Sequence, residues 1–118
     1  MIQSYEDISA YQKSYQLALK VYELAKKLPK EERYGLIDQI KRAALSIPLN
    51  IAEGYGKRSS VLDFKRFLSM SMGSCNEMLV LLHFTLDMQY IEQAEYEGLK
   101  AGYDEAAKML HGLIKNWK

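Results

Sequence analysis

The stretch "IPLNIAEGYGKRSS", Ile47 to Ser60, decides the fold, because it reads either as a phosphate-cradling loop or as a corner between two helices. A nucleotide loop of the P-loop kind needs a glycine five positions ahead of Gly-Lys-Ser/Thr, with a β-strand leading in. Here Gly56-Lys57 is followed by Arg58, the earlier position is Ile51, and the preceding residues are apolar at helical spacing. The loop reading fails on all three points. As a corner, each residue has a role: Gly54 and Gly56 are expected in the left-handed conformation that ends a helix, and Lys57 and Arg58 lie near its negative carbonyl end. Ser60-Val61-Leu62-Asp63 then fits a capping box that opens the next helix.

Outward from the corner, apolar residues recur by threes and fours almost throughout, with no alternating strand pattern. The second helix, starting near Glu31 or Glu32, carries Leu36, Ile40, Ala43, Ala44, Ile47 and Ile51 as one stripe. Pro48 removes the bond to the Ala44 carbonyl and is expected to kink this helix without ending it. The third helix aligns Val61, Phe64, Leu68, Cys75, Leu79, Leu82 and Leu86 over a length of roughly 45 Å. Before them, a helix from about Asp7 to Leu28 places Tyr11, Tyr15, Leu17, Val21, Leu24 and Leu28 on one face and stops at Pro29. After them, Gln93 to Asn116 buries Leu99, Tyr103, Ala106, Leu110 and Ile114, with Trp117 closing the end. The expectation is an all-α chain, residues 1–118 forming a single domain, folded as an antiparallel up-and-down four-helix bundle.

A chain of 118 residues with 48% hydrophobic and 26% charged residues is long enough for one core of its own. Its single cysteine, Cys75, has no intramolecular disulfide partner, which suits a reducing, cytoplasmic setting. The N-terminus lacks a signal-peptide pattern, and the longest apolar run, "MLVLLHFTL", is far short of the roughly 20 residues that span a bilayer, so no membrane role is expected. Net charge is +1, yet its distribution is uneven. Residues 41–66 hold Lys41, Arg42, Lys57, Arg58, Lys65 and Arg66 against Glu53 and Asp63, whereas residues 87–105 hold six acids against Lys100 alone. Anion binding at one end, or contact between oppositely charged subunits, follows from such a pattern.

The chain offers little for catalysis. Di-iron bundles need Glu-x-x-His pairs, but Val80 stands three before His83 and Lys108 three before His111. No metal or cofactor site is expected, no arginine is closely followed by histidine as in one type of helical ribonuclease, and no catalytic residue is assigned. His83, inside an apolar run, reads as a packing histidine, His111 as a surface or interface one, and Cys75 as a small core residue. The nine tyrosines are assigned mostly to core or interface. Tyr55 stands apart: beside Lys57 and Arg58 it is placed to stack on an exposed base while the cations meet phosphates, with Lys65 and Arg66 extending the patch. The plainer reading of these residues is a solvated helix corner. Asn50 and Glu53, and likewise Gly73 and Glu77, form polar or small strips beside the apolar lines, read either as solvated or as groups that fix helix or subunit register by pairing across an interface.

At these residues the sequence resembles a known family, the 23S rRNA intervening-sequence proteins, also called four helix bundle proteins. The resemblance runs from about Tyr11 to Lys115 and is densest in "YGLIDQIKRAALSIPLNIAEGYGKRS" (Tyr34–Ser59) and "DFKRFLSMSMGSCNEM" (Asp63–Met78). It departs at Tyr11-Gln12, where the family often has Trp-Gln, and at Cys75, where an aliphatic residue commonly follows Gly-Ser. The resemblance implies a bundle that assembles into a ring, with pentamers among relatives, and a kinship with accessory proteins of diversity-generating retroelements, where a basic ring meets nucleic acid and the reverse transcriptase. It implies no catalytic residues. The resulting expectation is a non-enzymatic, ring-forming bundle that binds RNA or another nucleic acid through Lys57, Arg58, Lys65 and Arg66 with Tyr55, and with Lys41 and Arg42 as outlying members. The alternative is a protein-interaction scaffold in which the basic corner meets the acidic surface around Glu92–Glu97 of a neighbouring copy or partner protein, without nucleic acid.

Overall fold

A computed structural model describes all residues, 1–118, and contains four long helices and no strand. These are α1 (Ser9–Ala25), α2 (Asp38–Gly56), α3 (Val61–Asp87) and α4 (Gln93–Asn116). Each carries the apolar stripe that its sequence spacing demands, and the stripes meet on one core containing Val21, Leu24, Ile40, Ile47, Ile51, Phe64, Leu68, Met78, Leu82, Tyr103 and Leu110, all fully enclosed. Neighbours in sequence pack together, and α4 returns against α1, which closes the bundle in the order α1, α2, α3, α4 within 44 × 25 × 19 Å. No helix is long and apolar enough to cross a membrane.

Differences from the sequence reading concentrate at helix ends. α1 stops at Ala25 rather than Leu28, because Lys27 and Leu28 donate to the Leu24 and Ala25 carbonyls, three residues back, in a tightened last turn. Tyr5–Asp7 forms a separate short 3-10 turn capped by Ser4. Lys30–Glu32 is likewise a 3-10 turn, and Arg33–Ile37 is a wider π turn that leads into α2. α2 then continues through Pro48, which is buried. α3 covers 27 residues, about 40 Å. α4 has the expected bounds.

The tyrosines divide between core and surface, with Tyr11, Tyr90 and Tyr96 partly buried against the core. Only Tyr55 and Tyr103 are buried, while Tyr5, Tyr15 and Tyr34 are exposed. A tyrosine on the margin of a helical stripe can leave its hydroxyl in water and still cover a neighbour, as Tyr11 and Tyr15 do by stacking at 5.9 Å.

Candidate nucleic-acid interface

The corner between α2 and α3 is built on a close approach rather than on left-handed glycines. No glycine has a positive φ, which corrects the expectation for Gly54 and Gly56. Gly54 is buried inside α2, and a Cβ there would lie 2.6 Å from the Phe67 Cβ and 3.1 Å from Phe64 Cδ1. The missing side chain lets α2 and α3 touch backbone to ring, so the chain crosses between them in only Lys57–Ser60. Lys57 caps α2, its N–H donating to the Gly54 carbonyl at 2.9 Å. Ser60 caps α3, its hydroxyl accepting from the Asp63 N–H at 3.1 Å. The reciprocal half of the expected capping box is absent: the Asp63 carboxylate faces Arg66 at 3.8 Å instead.

Tyr55 is the largest correction at this corner. It is 8% exposed, its ring meeting Phe64 edge-on at 6.1 Å and Trp117 at 6.4 Å. Arg58 lies over the ring at 4.0 Å and donates from Nη1 to the Tyr55 carbonyl at 2.9 Å. The ring is therefore a foundation for Arg58 and has no free face for a base. The glycine-flanked position suggested exposure, but the tyrosine follows the Ile47 and Ile51 line into the core. Lys57 and Arg66 sit over the Phe67 ring at 5.8 and 4.8 Å, so apolar rings orient three of the corner's cations.

The other expected members separate. Lys41 and Arg42 lie about 24 Å back along α2, Lys41 over Tyr22 at 5.0 Å and Arg42 beside Asp38 at 3.3 Å, so neither joins the corner. Asn50 donates to the Ser46 carbonyl of its own helix at 2.8 Å. Glu53 and Glu77 are exposed, and Gly73 faces open space, so none of these four pairs across the α2–α3 contact. That cross-helix role falls to Ser46 and Ser74, whose hydroxyls meet at 2.7 Å, and to Ser71, which donates to the Ile47 carbonyl at 2.8 Å.

The sequence reading places Trp117 at the close of α4 but does not show that this end meets the corner. Trp117 packs edge-on against Phe64 at 4.7 Å, pinning the end of α4 to the corner and bringing Lys115 and Lys118 into its neighbourhood. The available signal was the tryptophan's place at the end of the α4 apolar stripe. Lys57, Arg58, Lys65, Lys115 and Lys118 form no ion pair with any carboxylate.

His83 is exposed beside Asp87 at 3.4 Å, which corrects its reading as a packing residue. Burial pushes the Cys75 thiol up to about 11 and leaves it protonated at neutral pH. Tyr103, also pushed up by burial, leaves its hydroxyl without a hydrogen-bond partner in the core. No three His, Cys, Asp or Glu side chains gather to hold a metal. An open groove of about 690 Å³ between α1 and α4 has Leu24 and Leu99 at its floor and the Lys27–Glu95 ion pair at its rim. Two apolar surfaces remain uncovered: Met70, Val80 and Phe84 along α3, and Tyr15, Leu19 and Leu49 on α1 and α2, with Val80 68% and Leu49 62% exposed.

A family model described as 23S rRNA-intervening sequence protein matches residues 6–112. The chain belongs to this family. Its fold is shared by a solved structure of a protein of unknown function from the S23 ribosomal protein family of Bacteroides thetaiotaomicron, with a TM-score of 0.82 and 29% identity. That likeness covers 91% of this chain and 99% of the other. No curated protein matches. Within the 23S rRNA-intervening sequence family match lie the whole corner and most of α4, while Lys115, Trp117 and Lys118 fall beyond its last residue.

Proposed function

We propose that this protein is a non-enzymatic, oligomeric helical bundle of the cytoplasm that binds RNA or another nucleic acid, using the α2–α3 corner as its contact. The observation that carries this reading is the pair Lys57 and Arg58, which have no acidic partner and are held in place by aromatic rings, with the unpaired Lys65 beside them. Arg58 is fixed by Tyr55 through both a stacking contact and a hydrogen bond, so little side-chain freedom remains to be lost when it meets a phosphate. A buried ring beneath an exposed guanidinium makes phosphate recognition, rather than base stacking, the corner's contribution. Kinship with accessory proteins of diversity-generating retroelements belongs to the same proposal.

Assembly is supported by the two uncovered apolar surfaces. They differ in composition, so one copy's α3 surface against another's α1–α2 surface makes a head-to-tail contact, which closes into a ring when the rotation permits. Repeating a weak corner around such a ring strengthens its grip on a long polyanion through effective concentration. The scaffold alternative draws less support, because much of the acidic stretch is occupied within the chain: Glu95 holds Lys27 at 2.9 Å and Asp104 holds Lys100 at 3.0 Å.

The test is a titration of a labelled structured RNA at two salt concentrations, with light scattering to count subunits. Lys57→Glu combined with Arg58→Glu is expected to weaken binding at least tenfold while the assembly stays intact. An unchanged affinity, or loss of assembly with no RNA binding by the parent protein at low salt, would overturn the nucleic-acid reading and favour the scaffold.

A further inference from the structure

Residues 106–118 contain Lys108, Lys115, Lys118 and His111 and no acid at all. Lys108, His111 and Lys115 lie three or four residues apart along one line of α4, Lys118 follows just past the helix end, and all four are exposed. The line faces away from the core residues Leu99, Tyr103, Ala106 and Leu110. Upstream, the last acids of the helix are engaged, Asp104 with Lys100 and Glu105 with Lys13 at 2.8 Å. None of the three lysines has a carboxylate partner.

Two contacts orient this line relative to the corner. Trp117, packed on Phe64 and Tyr55, draws the end of α4 to the aromatic cluster whose Tyr55 ring carries Arg58. On α3, His83 approaches Tyr96 of α4, ring to ring at 6.4 Å, which marks the side of α3 that faces α4. Lys65 precedes His83 by 18 residues, five full turns at about 3.6 residues each, so it lies on that same side. Lys65 is therefore turned toward the α4 line, while Lys57 and Arg66 flank Phe67.

We infer that the exposed face of the last three turns of α4 is a second contact surface for a nucleic-acid backbone, continuous with the corner through Lys65 and Lys118. The inference rests on the nucleic-acid reading above and extends it to residues that reading does not include. Lys108 and Lys115 are about 10 Å apart along the helix axis, so they meet phosphates beyond any that Arg58 reaches. The line carries no aromatic ring exposed for stacking, so its contribution is to affinity and salt dependence, not to base preference.

The experiment compares three proteins, the parent, Lys57→Gln with Arg58→Gln, and Lys108→Gln with Lys115→Gln, in RNA binding measured across a salt series. If α4 touches the backbone, the α4 variant loses about 1.4 to 1.8 from the slope of log K against log salt, near 0.7 to 0.9 for each lysine, and binds several-fold more weakly near physiological salt. A melting measurement separates this from a role in offsetting the α4 dipole, which would move the midpoint and leave the slope unchanged. A corner variant that loses slope beside an α4 variant that keeps the parent's slope would overturn this inference and leave the corner reading standing. Absence of binding by the parent protein would overturn both.

Discussion

The two ends of the bundle use similar residues in opposite ways. At the end where α1 leads into α2 and α3 turns into α4, charged groups find partners within the chain: Lys26 meets Glu23 at 2.8 Å and Lys27 meets Glu95, His83 lies beside Asp87, and the Tyr90 hydroxyl donates to Glu32 at 2.8 Å. At the other end Arg66 pairs with Asp63 and Lys13 with Glu105, while Lys57 and Arg58 rest on aromatic rings and Lys65, Lys115 and Lys118 have no carboxylate partner. The first end satisfies several of its charges internally, although Lys30, Glu31 and Arg33 form no ion pair. The second is a rigid scaffold that leaves positive charge unspent. A net charge of +1 conceals this difference, because it averages the partly paired first end with the cation-bearing corner.

The strongest way to break the comparison is to crowd the corner. Gly54→Ala forces a methyl group to within 2.6 Å of the Phe67 Cβ, an atom anchored to its own backbone, and is expected to cost about 2 to 3 kcal/mol. Gly98→Ala, at the opposite end with nothing within 4 Å, is expected to be neutral or to stabilise by up to about 1 kcal/mol. Chemical denaturation of the two variants measures both, and equal effects would show that the close approach at Gly54 has no special weight.

A smaller effect is expected at the helix starts. Ser60→Ala removes the side-chain cap of α3 at the corner and should cost about 1 kcal/mol. α4 begins at Glu92 without a side-chain cap, so Glu92→Ser should stabilise by a few tenths to about 1 kcal/mol. Melting curves that show Glu92→Ser losing stability would mean that the opposite end depends on the Glu92 carboxylate itself. The smallest effect is that of Lys27→Ala, which breaks a largely solvated pair and should cost no more than about 0.5 kcal/mol, shrinking as salt is raised.

Much of this architecture was legible from residues alone. The stripe from Leu36 to Ile51, the line from Phe64 to Leu82 and the bounds of α4 follow from helical periodicity, because burial of such stripes is what makes four helices cohere. Helix ends were read less well. Gly54 and Gly56 carry the composition of a left-handed cap, yet a glycine that ends a helix and a glycine that admits a neighbouring ring look alike until the partner, Phe67, is in place. Tyr55 failed for the same reason: a ring between two glycines seems exposed unless Trp117, 62 residues later, is known to cover it. The corner's basic residues were legible by type and by sequence proximity, but the α4 lysines were not, since only the folded chain brings residue 117 to residue 64.

Trp117 is the only tryptophan of the chain, and it lies at the centre of the region on which the functional proposals turn. Its indole emission therefore reports on one place alone, without the averaging that several tryptophans would impose. Selective excitation at the red edge, beyond tyrosine absorption, makes the unlabelled protein its own optical probe of whether a ligand disturbs the seam between Phe64 and the end of α4.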